Sequence, residues 1–267
     1  MSGTLHFIHV GKTGGSALAG ALVRAGYANW STSDPSRPLK DTPYGRIQLG
    51  GHHTRLWRIP QEDHIFFCVR DPIERFVSAF HSRRNKGMPR YFFEWTERER
   101  MIFELYPTPQ ALADALAAPE QVDRELALWA LGNIRHLRPL HRYVGGRRKL
   151  HRRRKRIVYI ARQESLDEDW PKLRAVLGLP ERVQLKSDPL RAHRRERRDE
   201  EPFSPEGERA LRAALELDYK IVDYCEQMRR WRGWGPDRPV LERLRGAPVL
   251  VPPPPKRALR LLRPPGS

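Results

Sequence analysis

One short segment near the start of the chain has the residue types of an anion-binding turn. Residues 11–16 read Gly-Lys-Thr-Gly-Gly-Ser; they follow an apolar run at 5–10 and precede a segment whose apolar residues share one helical face. A glycine turn between a strand and a helix points backbone amides and the positive end of the helix dipole at one spot, where anions bind. Lys12 adds a full positive charge. The sequence therefore predicts an anion cradle at this turn.

A second segment has the same architecture. Arg70 follows a predicted buried strand at 64–69, and Pro72 opens a predicted helix that carries Ser78. Pro72 and Ser78 lie ~9 Å apart along a helix, so Arg70 and Ser78 can both reach a group at the helix start. Arginine suits phosphate because its planar fork forms bidentate, charge-assisted hydrogen bonds. The alternative is that Arg70 pairs with a carboxylate and Ser78 faces solvent.

The order of residues distinguishes the first motif from the common nucleotide loops. The phosphate loop of NTPases places its lysine after the glycines, whereas Lys12 precedes Gly14 and Gly15. The dinucleotide pattern G-x-G-x-x-G is absent as well. We therefore expect an anion cradle for a ligand other than the usual nucleotides.

Taken together, the two motifs resemble those of a known enzyme family. The residues that carry the likeness are 9–18 and 70–80, with supporting matches at Gly51-His52, 159–170 and 223–224. The sequence resembles the 3′-phosphoadenosine 5′-phosphosulfate (PAPS)-dependent sulfotransferases, especially the carbohydrate branch that includes heparan sulfate 2-O-sulfotransferase and bacterial members. The implied fold is the P-loop-NTPase-like α/β fold of sulfotransferases.

The resemblance also implies roles for individual residues. Arg70 and Ser78 would bind the 3′-phosphate of PAPS. The residues that would bind its 5′-phosphosulfate are Lys12, Thr13, Gly14, Gly15, Ser16 and Ala17. Lys12 would also stabilise the charge that develops on the leaving group, 3′-phosphoadenosine 5′-phosphate (PAP). The acceptor would be a hydroxyl group on a glycan or another hydroxyl-bearing substrate. An anionic glycan would match the positive net charge of the chain.

A hydroxyl acceptor benefits from a general base, and histidine is the natural candidate near neutral pH. His52 and His53 lie between the two motifs, and the Gly51-His52 pair matches a segment that often holds the catalytic histidine in the carbohydrate branch. A shift of one residue would nominate His53 instead. A pair of loop histidines that only form local hydrogen bonds is the structural alternative. No metal-ligand pattern is present, and we expect no metal.

Strands alternating with helices predict an α/β fold with a mostly parallel central sheet. The predicted strands are 5–10, 64–69 and 157–160. The predicted helices are 16–26, 73–84, 108–132 with a break near Pro119, 167–179, and a single long helix over 205–231. Residues 29–46 are expected to form a loop. The tryptophans at 95, 129, 170, 231 and 234 are expected to be packing residues.

The composition sets limits on the class of protein. The 267 residues carry a formal charge of +18 and two cysteines, which excludes a disulfide-stapled scaffold and indicates an anionic partner. We see neither a membrane-spanning run nor a secretory signal, and expect a cytoplasmic protein. The predicted sulfotransferase domain covers residues 1–235. A Pro-rich basic tail, 236–267, is expected to be extended or packed on the surface, where it can contact a membrane peripherally.

Two other functions compete with sulfuryl transfer. A nucleotide-dependent phosphoryl transferase would need a Walker lysine and a Mg²⁺-holding carboxylate, and neither is convincing here. A nucleic-acid-binding protein would account for the net charge and for the basic blocks at 151–156 and 193–198. It would leave the two phosphate motifs without a purpose, so no nucleic acid is expected as a partner.

Overall fold

The computed structural model describes residues 3–29, 38–89, 91–186 and 201–234. The basic block at 193–198 and the tail at 236–267 lie outside the described residues. The described chain forms two compact units: 3–29, 38–72, 139–186 and 217–234 form the first, and 73–89, 91–138 and 201–216 form the second. None of the described helices is both long and apolar enough to cross a membrane.

The first unit is built on a parallel sheet. Its strands are β1 (Thr4–Ile8), β2 (Arg46–Leu49), β3 (His64–Val69) and β4 (Ile157–Arg162), in the order β2-β1-β3-β4. Every pairing is parallel: Leu5 lies opposite Ile47 on one side and His64 on the other, and Phe67 lies opposite Ile160. Because all four strands are parallel, their carboxyl ends meet at one edge. The predicted α/β class with a parallel sheet is confirmed.

The described chain contains ten α-helices and two short 3-10 helices, Leu56–Arg58 and Gln163–Ser165. The α-helices are α1 (Gly15–Arg24), α2 (Pro72–Arg84), α3 (Glu97–Leu105), α4 (Pro109–Leu116), α5 (Gln121–Asn133), α6 (His141–Val144), α7 (Gly146–Arg153), α8 (Leu166–Val176), α9 (Pro205–Ala214) and α10 (Glu216–Trp231). The first unit contains α1, α6, α7, α8 and nearly all of α10. The second contains α3, α4, α5, α9 and nearly all of α2.

Several expected elements differ from the observed ones. The first strand ends at Ile8, so the run at 5–10 overstates it, and β2 was not predicted: it begins at Arg46, the last residue of the expected loop at 29–46. The single helix expected over 205–231 is wrong, because α9 ends before Leu215, whose φ of −98° and ψ of 11° leave the helical range, and α10 then begins. The break expected near Pro119 is confirmed between α4 and α5.

Apolar side chains cover both faces of the sheet, as expected for parallel strands with helices on either side. Neighbouring residues of β3 serve opposite faces: Phe66 packs in one buried cluster and Phe67 in the other. Leu18 of α1 and Trp170 of α8 join the first cluster, and Ile221 of α10 joins the second. This packing fixes the strand ends, which is what a site on the connecting loops requires.

A buried ion pair joins two helices to the end of β4. The guanidinium of Arg229 on α10 donates to the carboxylate of Asp169 on α8 at 2.8 and 3.1 Å, with side-chain exposures of 0% and 1%. The same carboxylate accepts the amide of Arg162 at 2.6 Å, and the guanidinium also donates to the carbonyl of Ile160. α8, α10 and the carboxyl end of β4 are therefore held by one polar cluster.

The second unit contains a similar pair. Arg83 of α2 donates two hydrogen bonds, 2.7 and 2.8 Å long, to Glu99 of α3, and both side chains are fully buried. Glu99 also completes a capping box with Thr96 at the start of α3. Burial alone would raise the pKa of Glu99, but the hydrogen bonds from Arg83 and Thr96 outweigh it and lower that pKa.

Two of the tryptophans expected to be packing residues differ in their burial. Trp170 is buried, and its indole donates to the carbonyl of Val183 at 3.0 Å. Trp231, the last residue of α10, contacts the ring of Tyr224 edge-on but is 68% exposed, so it packs against a neighbour without being buried.

We expect Arg229→Met to lower the stability of the protein strongly. The substitution leaves Asp169 buried without its cation, a loss that costs about 3–5 kcal/mol. At this chain length, that corresponds to a fall of roughly 10 °C in the thermal unfolding midpoint, measured by circular dichroism. The matched control is Arg209→Met, which removes an exposed ion pair with Glu206 and should leave the unfolding midpoint nearly unchanged, because water screens exposed pairs. Equal midpoints for the two variants would contradict the assignment.

Candidate functional site

The loop between β1 and α1 has an unusual backbone. Lys12 has a φ of 64° and Gly14 a φ of 83°, both in the left-handed region. Lysine adopts this region at a cost in energy, which the surrounding structure must offset. The buried hydroxyl of Thr13 donates to the carbonyl of Val10 at 3.0 Å and helps to fix the turn. The Thr13 side chain thus serves to fix the loop.

The helix start beyond this loop offers backbone donors. The amides of Gly14, Gly15 and Ser16 donate to no group of the described chain, as expected for the first residues of a helix. The carbonyl of Gly14 accepts from the amides of Ala17 and Leu18, so it begins the helical hydrogen bonding. The first turn of α1 has no acidic residue, and Ser16 is exposed. An anion at this end would meet amides and the positive end of the helix dipole.

The position of His9, a residue that the sequence analysis did not single out, requires a glycine at position 15. A Cβ on Gly15 would lie 2.5 Å from Cδ2 of His9 and 3.2 Å from Cζ of Phe7. The half-buried imidazole of His9 stacks on Phe7, with ring centroids 5.7 Å apart. On its other side, His9 contacts the ring of His52, with centroids 4.6 Å apart. His9 therefore links the glycine turn to the loop that holds the predicted base.

The loop after β2 presents the two candidate bases. It approaches β1 closely: the Gly50 amide donates to the carbonyl of Phe7 at 2.9 Å. His52 is half-buried, and its carbonyl accepts from the guanidinium of Arg55 at 3.1 Å. His53 is exposed. The structure thus brings His52 against the glycine turn through His9 and leaves His53 on the surface.

The loop after β3 contacts the first loop directly. The guanidinium of Arg70 donates to the carbonyl of Lys12 at 3.3 Å. The next amide, that of Asp71, donates to the carboxylate of Glu164 at 2.7 Å, and Glu164 accepts from the Arg162 side chain at 3.0 Å. The two cations predicted to bind anions therefore come from adjacent loops at one sheet edge. The half-buried Ser78 lies on α2 in the second unit, and its part in the site stays a prediction.

Two participants at this edge were missed by sequence reasoning. His9 was included in the apolar run at 5–10, although its position one residue beyond β1 is where a parallel strand delivers functional side chains. Glu164 lay within the supporting match at 159–170 without an assigned role. The segment around it also packs on the glycine turn, since a Cβ on Gly14 would lie 3.3 Å from Cγ of Gln163.

The arrangement suits anion binding combined with proton transfer. Backbone amides, Lys12 and Arg70 supply donors and positive charge, and His9 and His52 supply imidazoles beside them. Thiol chemistry is disfavoured at this edge, because complete burial and the nearby Glu164 raise the pKa of Cys68 well above its usual value.

We expect Gly15→Ala to displace His9. The added methyl group would lie 2.5 Å from the imidazole, so the ring must move and carry its contact with His52 with it. The histidine ring-proton resonances should therefore shift in the NMR spectrum, and strain should cost about 1–3 kcal/mol in stability. The control is Gly51→Ala, where a Cβ has no neighbour within 4 Å. Unchanged resonances in Gly15→Ala would refute the packing of His9 on the turn.

Comparison with known proteins gives one positive result. No curated protein matches the chain. The family model described as "Sulfotransferase family" matches residues 3–227 of the 267, which includes all the loops at the carboxyl edge of the sheet. The chain therefore belongs to the sulfotransferase family, whose enzymes transfer a sulfuryl group to an acceptor.

Proposed function

We propose that the protein transfers the sulfuryl group of PAPS to a hydroxyl of a carbohydrate acceptor. Family membership supports sulfuryl transfer over the phosphoryl-transfer alternative, and members of the family generally use PAPS as the donor. The observation that carries the proposal is the contact between the Arg70 guanidinium and the Lys12 carbonyl, 3.3 Å long. It joins the two anion-binding loops at one edge, as a donor with phosphates on both sides of one ribose requires.

The described residues have the chemistry needed to hold this donor. The amides of Gly14, Gly15 and Ser16 are available at the start of α1, and they with Lys12 would bind the 5′-phosphosulfate. Arg70 and Ser78 would bind the 3′-phosphate. When bound, PAPS supplies the sulfuryl group and a phosphate leaving group. Fixed amides and a lysine are suited to stabilising negative charge as it develops on that leaving group, because they need no reorganisation during the reaction.

We assign His52 as the general base and keep His53 as the alternative. A neutral imidazole nitrogen can accept the proton of the acceptor hydroxyl as the oxygen bonds to sulfur. The contact of His52 with His9, which packs against Gly15, supports His52 because it ties the base to the turn that would hold the sulfuryl group. The exposure of His53 places fewer constraints on its side chain.

We expect Lys12→Ala and Arg70→Ala each to weaken the binding of PAP. Each removes a hydrogen-bonding cation worth about 1.5–3 kcal/mol, which corresponds to roughly 10- to 150-fold in Kd. Isothermal titration calorimetry with PAP measures the effect. Arg209→Ala, which removes an exposed arginine from α9, serves as the control and should bind PAP as the wild type does. A folded wild type that binds no PAP, where a control sulfotransferase saturates, would overturn the proposed donor.

We expect His52→Ala to lower kcat by about a hundredfold, the usual contribution of a general base, while leaving the Kd for PAP unchanged. The assay measures sulfate transfer from PAPS to a panel of carbohydrate acceptors. His53→Ala is the matched comparison and should retain most of the activity. Loss of activity in His53→Ala with retention in His52→Ala would transfer the role of base to His53.

A further inference from the structure

A second basic feature lies at the opposite edge of the sheet. Residues 151–156 read His-Arg-Arg-Arg-Lys-Arg; they start within α7 and end where β4 begins. The proposed sulfuryl transfer uses the loops at the carboxyl ends of the strands. β4 separates the two edges by six residues, ~17 Å at the usual rise per residue. The basic segment therefore has no part in the site described above.

Part of this segment lines a pocket of about 220 Å³ in the first unit. The remaining walls come from the end of α10 and the residues that follow it. The lining includes His151, Arg154, Lys155, Trp231, Arg232 and Trp234. No acidic residue is among the described residues that line the pocket. Three permanent cations and two indoles thus share one small concavity.

Two of the three cations of the pocket, Arg154 and Arg232, are held by backbone carbonyls. Arg154 donates to the carbonyl of His151 at 2.9 Å, and Arg232 donates to the carbonyl of Arg154 at 3.0 Å. No carboxylate of the described chain forms an ion pair with Arg154, Lys155 or Arg232. These hydrogen bonds fix the guanidinium groups without neutralising them, so their mutual repulsion is relieved when an anion enters.

The indoles are also held in place. The Arg232 guanidinium lies 5.5 Å from the centre of the Trp234 ring, and Trp234 contacts the buried Tyr159 with centroids 5.2 Å apart. Trp231 packs edge-on against Tyr224, yet it is 68% exposed. Fixed, exposed indole surface favours a planar apolar group, since aromatic rings gain most from stacked or edge-on contacts.

From these contacts we propose a second ligand site, which binds an organic phosphate or sulfate whose ester group is planar and apolar. Arg154, Lys155 and Arg232 bind the anion, and Trp231 and Trp234 contact the planar group. The proposal is independent of the donor and base assigned at the carboxyl edge.

The test is calorimetric titration of the full-length protein with 2-naphthyl phosphate, inorganic phosphate and 2-naphthol. Because the site needs both halves of the ligand, the ester should bind at least tenfold more tightly than either inorganic phosphate or 2-naphthol. Trp231→Ala should reduce that advantage and leave the binding of inorganic phosphate unchanged. An ester that binds no more tightly than inorganic phosphate would overturn the proposal.

Matched variants locate the binding. The double variant Arg154→Gln/Arg232→Gln should weaken the ester at least tenfold, whereas Arg148→Gln/Arg152→Gln, with the same loss of charge on exposed residues outside the lining, should change Kd less than twofold. All four arginines are exposed, so both proteins should fold. Equal weakening in the two double variants would reduce the effect to net charge and refute the site.

A third variant distinguishes binding at this site from binding at the proposed donor site. Lys12→Ala/Arg70→Ala should bind 2-naphthyl phosphate as the wild type does, even though its binding of PAP is expected to be weaker. Loss of ester binding in this variant would place the ester at the carboxyl edge and overturn the second site. Failure of the wild type to bind PAP would instead affect only the proposed donor.

Discussion

The buried pair between Arg229 and Asp169 is the constraint on which the first unit depends. Removing both charges from water is costly, and the cost is offset only when geometry is good and the remaining polar atoms are satisfied. Asp169 meets this condition, because it accepts two hydrogen bonds from Arg229, one from the Arg162 amide and one from the Tyr159 hydroxyl. The same burial raises the pKa of Tyr159, so its phenol remains a donor. The end of β4 is thereby fixed to α8 and α10.

The position of the candidate site follows from that fixed strand end. With its amide held by Asp169, Arg162 places its side chain on Glu164, and Glu164 accepts the amide of Asp71 just beyond β3. Arg70, the preceding residue, then reaches the carbonyl of Lys12 in the loop after β1. The loops after β4, β3 and β1 are thus linked by hydrogen bonds from one to the next, and the Arg70 guanidinium is held in place before any ligand arrives, which is how electrostatic stabilisation becomes effective.

The sequence predicts those parts of this arrangement that are determined by residues close together in the chain. β3 and the start of α2 follow from an apolar run ending at Arg70 and a proline in the first helical turn. β2 was not predicted because its four residues, Arg-Ile-Gln-Leu, form an edge strand. Only Ile47 in it is buried, so the strand has no apolar run. The contact of His9 with His52 joins residues 43 positions apart, and the pair of Asp169 and Arg229 spans 60. Such contacts depend on the topology of the sheet, which periodicity does not encode.

The net charge of +18 is best understood by comparing the two edges of the sheet. At the carboxyl edge, carboxylates stand among the cations: Arg162 pairs with both Glu164 and Glu226. Those carboxylates orient the loops and moderate the local potential. At the amino end of β4, Arg154 and Arg232 are fixed by carbonyls, which orient a guanidinium but leave its charge intact. Arginine therefore acts differently in the two places: Arg162 is part of a charge-balanced framework, whereas Arg154 and Arg232 leave positive charge in the pocket unneutralised.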